Sequence, residues 1–445
     1  MQATHTSKAS ARPCAPRRLL ARPSRLSDRP RLHSFALLFS LLCSGGLCLP
    51  GCGGPEEPFR FTGEGGIATP IQLRSDVPLV EVSLDEGPPR AFLLDTGSPA
   101  TLLSPSSYGL EEGIHRPASV GMLGITVLEP TIGALELFAG ELSISGILGG
   151  DLLRRFALTL DYRDALALLW VDLKGGVPAH GEGLEEATQV SLSLLGGGYL
   201  SLSSTERLLV PATRLVVPIL VEGEEILAVV DTGASMLVLD EDLLDSLLAS
   251  RPTRPRLLGL EVITADGARP AEISRAARVT LEDAEGPAEL ASVSFLSVRG
   301  STALAGLSAE VGRKVEALLG GSYLRSFQVT LDYPARRLTL QRYAEPTHIH
   351  PREWISVGFT FAQVAIGHVV VEALFQGSDA EDRGVSPGDR ILSAGGRDIT
   401  SLGAAAVQAA VDASELGDRV PFTFARGAST YDASVLIEDL LPEFN

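Results

Sequence analysis

Two pairs of short motifs recur along this chain in the same order. Asp95-Thr96-Gly97-Ser98 follows the apolar run Ala91-Phe92-Leu93-Leu94, and Asp231-Thr232-Gly233-Ala234 follows Leu227-Ala228-Val229-Val230. Downstream, the segment from Ile147 to Tyr162 matches that from Leu318 to Tyr333, and the two share Leu-Arg-x-Phe-x-x-Thr-Leu-Asp-Tyr. A single tetrapeptide recurs easily by chance, but two ordered pairs do not. The middle of the chain is therefore one unit written twice, and any fold must accommodate two similar halves. The second copy is the longer, with its extra residues mostly within 250–315.

Each copy reads as β-structure. Val77–Leu84 and Val216–Val221 are short apolar or alternating runs followed by turn chemistry at Asp85–Pro89 and Glu222–Glu225. The Asp-Thr-Gly run then ends a second strand, so each copy opens with a hairpin. Residues 156–160 with 166–171, and 328–331 with 337–341, predict a closing hairpin around Asp-Tyr turns. Short helices are expected at 241–249 and 308–319, and the Gly-rich stretch 189–204 reads as one more hairpin around Gly196-Gly197-Gly198. With aromatics at 5%, Val, Leu, Ile and Ala must fill the cores.

The N-terminus reads as an address. Arg17 through Arg31 form a basic stretch ahead of the apolar run Phe35–Cys43, the pattern of a secretory signal over residues 1–51. The run is too short to span a bilayer comfortably. It ends in Leu49-Pro50-Gly51-Cys52, which resembles a bacterial lipobox and makes Cys52 the candidate lipidated residue. Simple cleavage, or retention as an uncleaved anchor, are the alternatives. Gly53 after the cysteine favours, by the same resemblance, the outer over the cytoplasmic membrane of an envelope facing the periplasm or surface. Residues 52–75 are then a lipidated tether.

Charge is distributed accordingly. Eight of the 37 Lys/Arg and one of the 55 Asp/Glu fall within residues 1–51, so the body beyond is more acidic than the net −18 of the whole. Such a body repels nucleic acid and anionic lipid. All four cysteines (14, 43, 48 and 52) precede residue 53, leaving the body no thiol for a disulfide or a metal. His348-Ile349-His350 has no third ligand near in sequence, so no metal is expected. Neither a Gly-x-Ser-x-Gly nucleophile elbow nor a phosphate loop is present, and no cofactor is expected.

On these motifs the region 76–343 resembles the retropepsin-like aspartic peptidases, duplicated in one polypeptide as in the bilobed pepsin arrangement. The resemblance implies two pseudo-symmetric acid-protease-like β-barrel lobes, over 76–173 and 210–343, joined by a linker over 174–209. It implies that Asp95 and Asp231 form one catalytic dyad acting on polypeptides. Two carboxyls held close cannot both ionise, so they share a proton. One can then take a proton from water while the other donates to the substrate carbonyl. Gly97 and Gly233 permit the close approach of the loops. Thr96 and Thr232 would bond across the pseudo-dyad, and Ser98 would donate from its hydroxyl to the outer oxygen of Asp95. Gly149 and Gly320 would pack behind the loops, with Ser322 standing where the family pattern has Asp or Asn. No flap motif is recognisable, and 114–141 is the segment expected to form one.

From Trp354 the pattern changes. The run Ala380-x-x-x-Gly384-Val385-x-x-Gly388-Asp389-x-Ile391-Leu392, with a helix near 404–413, resembles a PDZ domain (α+β) over 354–438. That resemblance implies a loop Val357-Gly358-Phe359 offering N–H groups to peptide C-termini, or to an extended strand adding beside it. Docked substrates would be concentrated near the dyad. The rival reading is a non-catalytic envelope lipoprotein that uses the same scaffold to bind peptides.

Overall fold

The computed structural model describes residues 59–137, 144–171, 173, 183–264, 267–281, 288–344, 353–365 and 367–443. The signal, Cys52, the Gly-rich start of the linker and His348-Ile349-His350 lie outside the described residues. The molecule is mainly β, with short helices.

The duplicated motifs build equivalent sheets. In the first lobe, Val77–Leu84 and Arg90–Leu94 form the opening hairpin. Gly146–Leu148 runs parallel to Arg90–Leu94 and antiparallel to Leu102–Leu103. In the second lobe, Arg214–Val221 and Glu224–Val230 form the hairpin. Ala317–Leu319 lies parallel to Glu224–Val230 and antiparallel to Leu237–Leu239. Each Asp-Thr-Gly therefore leaves the C-terminal end of a buried strand whose parallel neighbour ends at the paired glycine. Runs of Val and Leu satisfy strands covered on both faces.

A third sheet joins the lobes. Ala157–Asp161 pairs antiparallel with Phe327–Asp332, placing Thr159 opposite Thr330, with hydroxyls 2.8 Å apart. One apolar core, from Phe92, Leu153 and Phe156 to Phe295, Leu324 and Phe327, runs through both lobes.

Four sequence expectations need correction. The tether does not extend to residue 75, because Arg60–Gly63 pairs with Ile125–Leu128 and Gln72–Arg74 with Val77–Leu79. The linker is largely structured, since Leu184–Ser191 borders the interlobe sheet beside Arg337–Tyr343. Gly196-Gly197-Gly198 is not a hairpin turn: Ser193–Leu195 pairs with 214–216, and the hairpin is Gly198–Ser201 with Arg207–Val210. The helix expected at 308–319 spans Ala303–Val311, because 317–319 is the strand beside the Asp231 loop.

The C-terminal domain has its own core around Val357, Phe359, Val371, Ile391, Val407 and Phe424. Its sheet has Phe359–Ala365 as an end strand, followed by His368–Leu374, Arg390–Ala394, Arg419–Arg426 and Ser429–Leu436. Helix Ala404–Asp412 packs on it.

Candidate active site

The two Asp-Thr-Gly loops meet head to head through reciprocal bonds. Thr96 N donates to Thr232 Oγ1 and Thr232 N to Thr96 Oγ1, each at 3.1 Å. The Thr96 hydroxyl donates to Val230 O at 2.9 Å, and the Thr232 hydroxyl to Leu94 O at 2.6 Å. Each threonine thus spends its hydroxyl as donor and acceptor on the opposite loop. A valine there would leave buried peptide groups unpaired.

The glycines set the approach of the carboxyls. A Cβ built on Gly97 would overlap the Asp231 carboxyl, and one on Gly233 would overlap that of Asp95. Only a residue without a side chain lets each acid lie against the opposite loop. Behind the loops, Asp95 N donates to Leu148 O and Asp231 N to Leu319 O, each at 3.1 Å. A Cβ on Gly149 or Gly320 would collide with the backbone at Ala100 or Met236.

Both carboxyls are buried, at 0% and 1% exposure, and each lies against the glycine of the opposite loop. Their surroundings differ. Asp231 Oδ1 accepts Gly233 N at 2.9 Å and Ala234 N at 3.1 Å. Asp95 Oδ1 accepts Ser98 N at 3.0 Å, while Asp95 Oδ2 is buried without a donor from the protein. Burial, then the Asp231 charge, holds the Asp95 carboxyl well above the ordinary range. Burial also raises Asp231, against the lowering effects of the Asp95 contact, Arg214 and its two N–H donors. The arrangement favours the shared proton on Asp95 and the negative charge on Asp231.

Ser98 supports Asp95 differently from expectation. Its N–H reaches the carboxyl, but its hydroxyl donates to Ala100 O at 2.8 Å and is not available to the acid. Ser322 fills the role that Asp151 plays in the first lobe. Asp151 Oδ1 accepts Thr101 N at 2.8 Å, and Ser322 Oγ accepts Leu237 N at 2.8 Å while donating to Ser294 O. The substitution keeps the second loop tied.

The sequence did not single out Arg214. It is 2% exposed and forms a two-pronged pair with Glu310 through Nε at 3.0 Å and Nη2 at 2.9 Å. The signal was there in the sequence, since an arginine opens the apolar strand Arg214–Val221.

The walls beside the dyad are covered differently in the two lobes. Residues 119–128, within the segment expected to form a flap, are a hairpin paired on both sides, with 82–84 and with 60–63. The wall beside Asp95 (Leu93, Ala100, Leu102 and Ile147) is packed instead by Leu200, Leu202, Leu208 and Val210 of the linker hairpin. The equivalent wall beside Asp231 (Val229, Met236, Val238 and Leu318) is packed by Leu257, Leu260, Val262 and Ile273 of the antiparallel pair Arg256–Thr264 and Gly267–Leu281. That pair accounts for much of the second copy's extra length.

The C-terminal loop also departs from expectation. Val357, Gly358 and Phe359 are buried, Phe359 N donates to Val357 O at 2.8 Å, and Gly358 O accepts Phe375 N at 2.9 Å. Gly358 approaches Ser378 closely enough that a Cβ there would collide with it. Among the described residues, no cluster of His, Cys, Asp and Glu could hold a metal ion, and no helix is long and apolar enough to cross a membrane.

The aspartyl protease family model matches residues 217–323, so the second lobe carries that family's pattern. No curated protein matches the chain. Similar solved structures include the aspartic proteinase from Irpex lacteus, 14% identical with a TM-score of 0.41, covering 63% of this chain and 98% of that one. A retropepsin-like aspartic protease from Rickettsia conorii is 16% identical with a TM-score of 0.24, covering 35% of this chain and 99% of that one.

Proposed function

We propose that the chain is an aspartic endopeptidase that hydrolyses peptide bonds with water activated between Asp95 and Asp231. The observation that carries this reading is the pair of buried carboxyls held against each other's loops by reciprocal threonine bonds. A solvated turn would need none of that apparatus.

In the proposed reaction Asp231, ionised and held by two backbone donors, takes a proton from water. The water oxygen attacks the carbonyl carbon as Asp95 gives its proton to the carbonyl oxygen. As the C–N bond of the tetrahedral diol breaks, Asp231 gives its proton to the leaving nitrogen and a diol hydroxyl returns one to Asp95, restoring the starting state. No acyl-enzyme forms. The substrates are polypeptides, and neither metal nor cofactor enters the steps.

We further propose export and lipidation at Cys52, supported by the basic and apolar segments ahead of it and by Leu49-Pro50-Gly51. Mass spectrometry of the mature N-terminus tests that. Peptide docking by the C-terminal domain, in this reading, uses the end strand Phe359–Ala365 rather than the buried loop before it.

The decisive experiment is cleavage of an unfolded protein by Asp95→Asn and Asp231→Asn. Each substitution is expected to reduce kcat at least a thousandfold. Activity surviving in both rejects the hydrolase.

A further inference from the structure

We propose that the C-terminal domain is a clamp on strand Arg256–Thr264, and through it fixes the wall of the site beside Asp231. This rests on reading the dyad as the working site.

Arg256–Thr264 is the end strand of the second lobe's sheet, and among the described residues the first lobe has no equivalent. An end strand offers unpaired peptide groups along its outer edge. Here that edge is met by the C-terminal domain, where Gln376 N donates to Leu258 O at 3.3 Å. The register of the strand shifts between Leu257 and Leu260, which sets Leu258 and Gly259 out as a bulge. Gly259 has φ +94°, and a Cβ there would collide with Leu374 O. The bulge is therefore shaped to receive residues 374–376, and only glycine allows both the backbone conformation and the approach.

The apolar side of the joint reaches the catalytic loop. Trp354, Phe375 and Leu441 of the C-terminal domain are 3%, 1% and 0% exposed. They belong to the same packed cluster as Leu257, Leu260 and Val262, which in turn covers Met236, Val238 and Leu318 around the Asp231 loop. Two arginines fasten the rim. Arg275 Nε donates to Leu441 O at 2.8 Å, and Arg325 pairs with Glu353 and with Asp76, each at 2.7 Å. Arg325 thereby ties the first lobe, the second lobe and the C-terminal domain at one point. A close-packed joint of this kind transmits displacement rather than absorbing it. Phe375 continues the connection to the end strand of the C-terminal sheet through its bond to Gly358 O. A segment that adds to that strand would act on the same joint.

The test is hydrogen exchange read by mass spectrometry on the full chain, with peptide-cleavage kinetics alongside. Phe375→Ala is expected to speed exchange of amides 257–262 at least tenfold, leave 157–161 and 327–331 unchanged, and raise KM more than it lowers kcat. Arg275→Ala is expected to act the same way, more weakly, and decides the matter should Phe375→Ala unfold the chain. Faster exchange confined to the C-terminal domain, with 257–262 as in the wild type, overturns the clamp. A wild type without peptidase activity defeats the dyad reading alone, and the exchange result still judges the clamp.

Discussion

Asp95 and Asp231 occupy equivalent positions in unequal surroundings: backbone N–H groups reach both carboxyls, but Oδ2 of Asp95 is buried without a partner. Both are raised by burial, so the folded state holds protons more tightly than the unfolded chain. Their contribution opposes folding as pH rises above about 4, where the unfolded carboxyls ionise, and is absent well below that. Asp95→Asn should therefore stabilise the protein by about 1–2 kcal/mol at pH 7, with the gain vanishing near pH 3. Thermal unfolding across that range measures it. Thr232→Val should lower stability by about 2–4 kcal/mol, because Thr96 N and Leu94 O lose their partners inside the core; denaturant titration checks this. At this scale the Asp-Thr-Gly loops were legible because the close approach of two carboxyls to each other's loops admits few residue types. The Ser98 hydroxyl was misread because Ala100 O takes it only once the chain is folded, and in the Val357–Phe359 loop the Phe359 N–H is likewise taken, by Val357 O.

Strands and hairpins carry the asymmetry further. The opening and closing hairpins of each copy were readable from alternation and turn residues. What covers each catalytic wall was not. The linker hairpin 198–210 and the pair 256–281 pack equivalent faces from unrelated places in the chain. No periodicity marks which distant apolar strand will cover a given face. Leu202→Ala should cost about 2–5 kcal/mol locally and loosen 198–210 toward hydrogen exchange, since Leu202 is 2% exposed against Leu102 and Gly133. The Arg214–Glu310 pair links strand 214–221 to helix 303–311. Arg214→Met should destabilise by about 3–5 kcal/mol by stranding a buried glutamate, while Arg214→Met with Glu310→Leu should recover most of that. Because Arg214 lowers both Asp95 and Asp231, the apolar double variant should also move the acid limb of the proposed activity's kcat/KM to higher pH.

Across the whole molecule the lobes are not separable bodies, for they share one core and one central sheet. That sheet has a consequence for ancestry. Ala-Leu-Thr-Leu-Asp at 157–161 and Gln-Val-Thr-Leu-Asp at 328–332 nearly coincide, and they meet with threonine facing threonine. Either strand is thus close to self-complementary, and a half-length polypeptide holding only one of them would find its natural mate in its own twin. Such a homodimer would have assembled an acid from each partner.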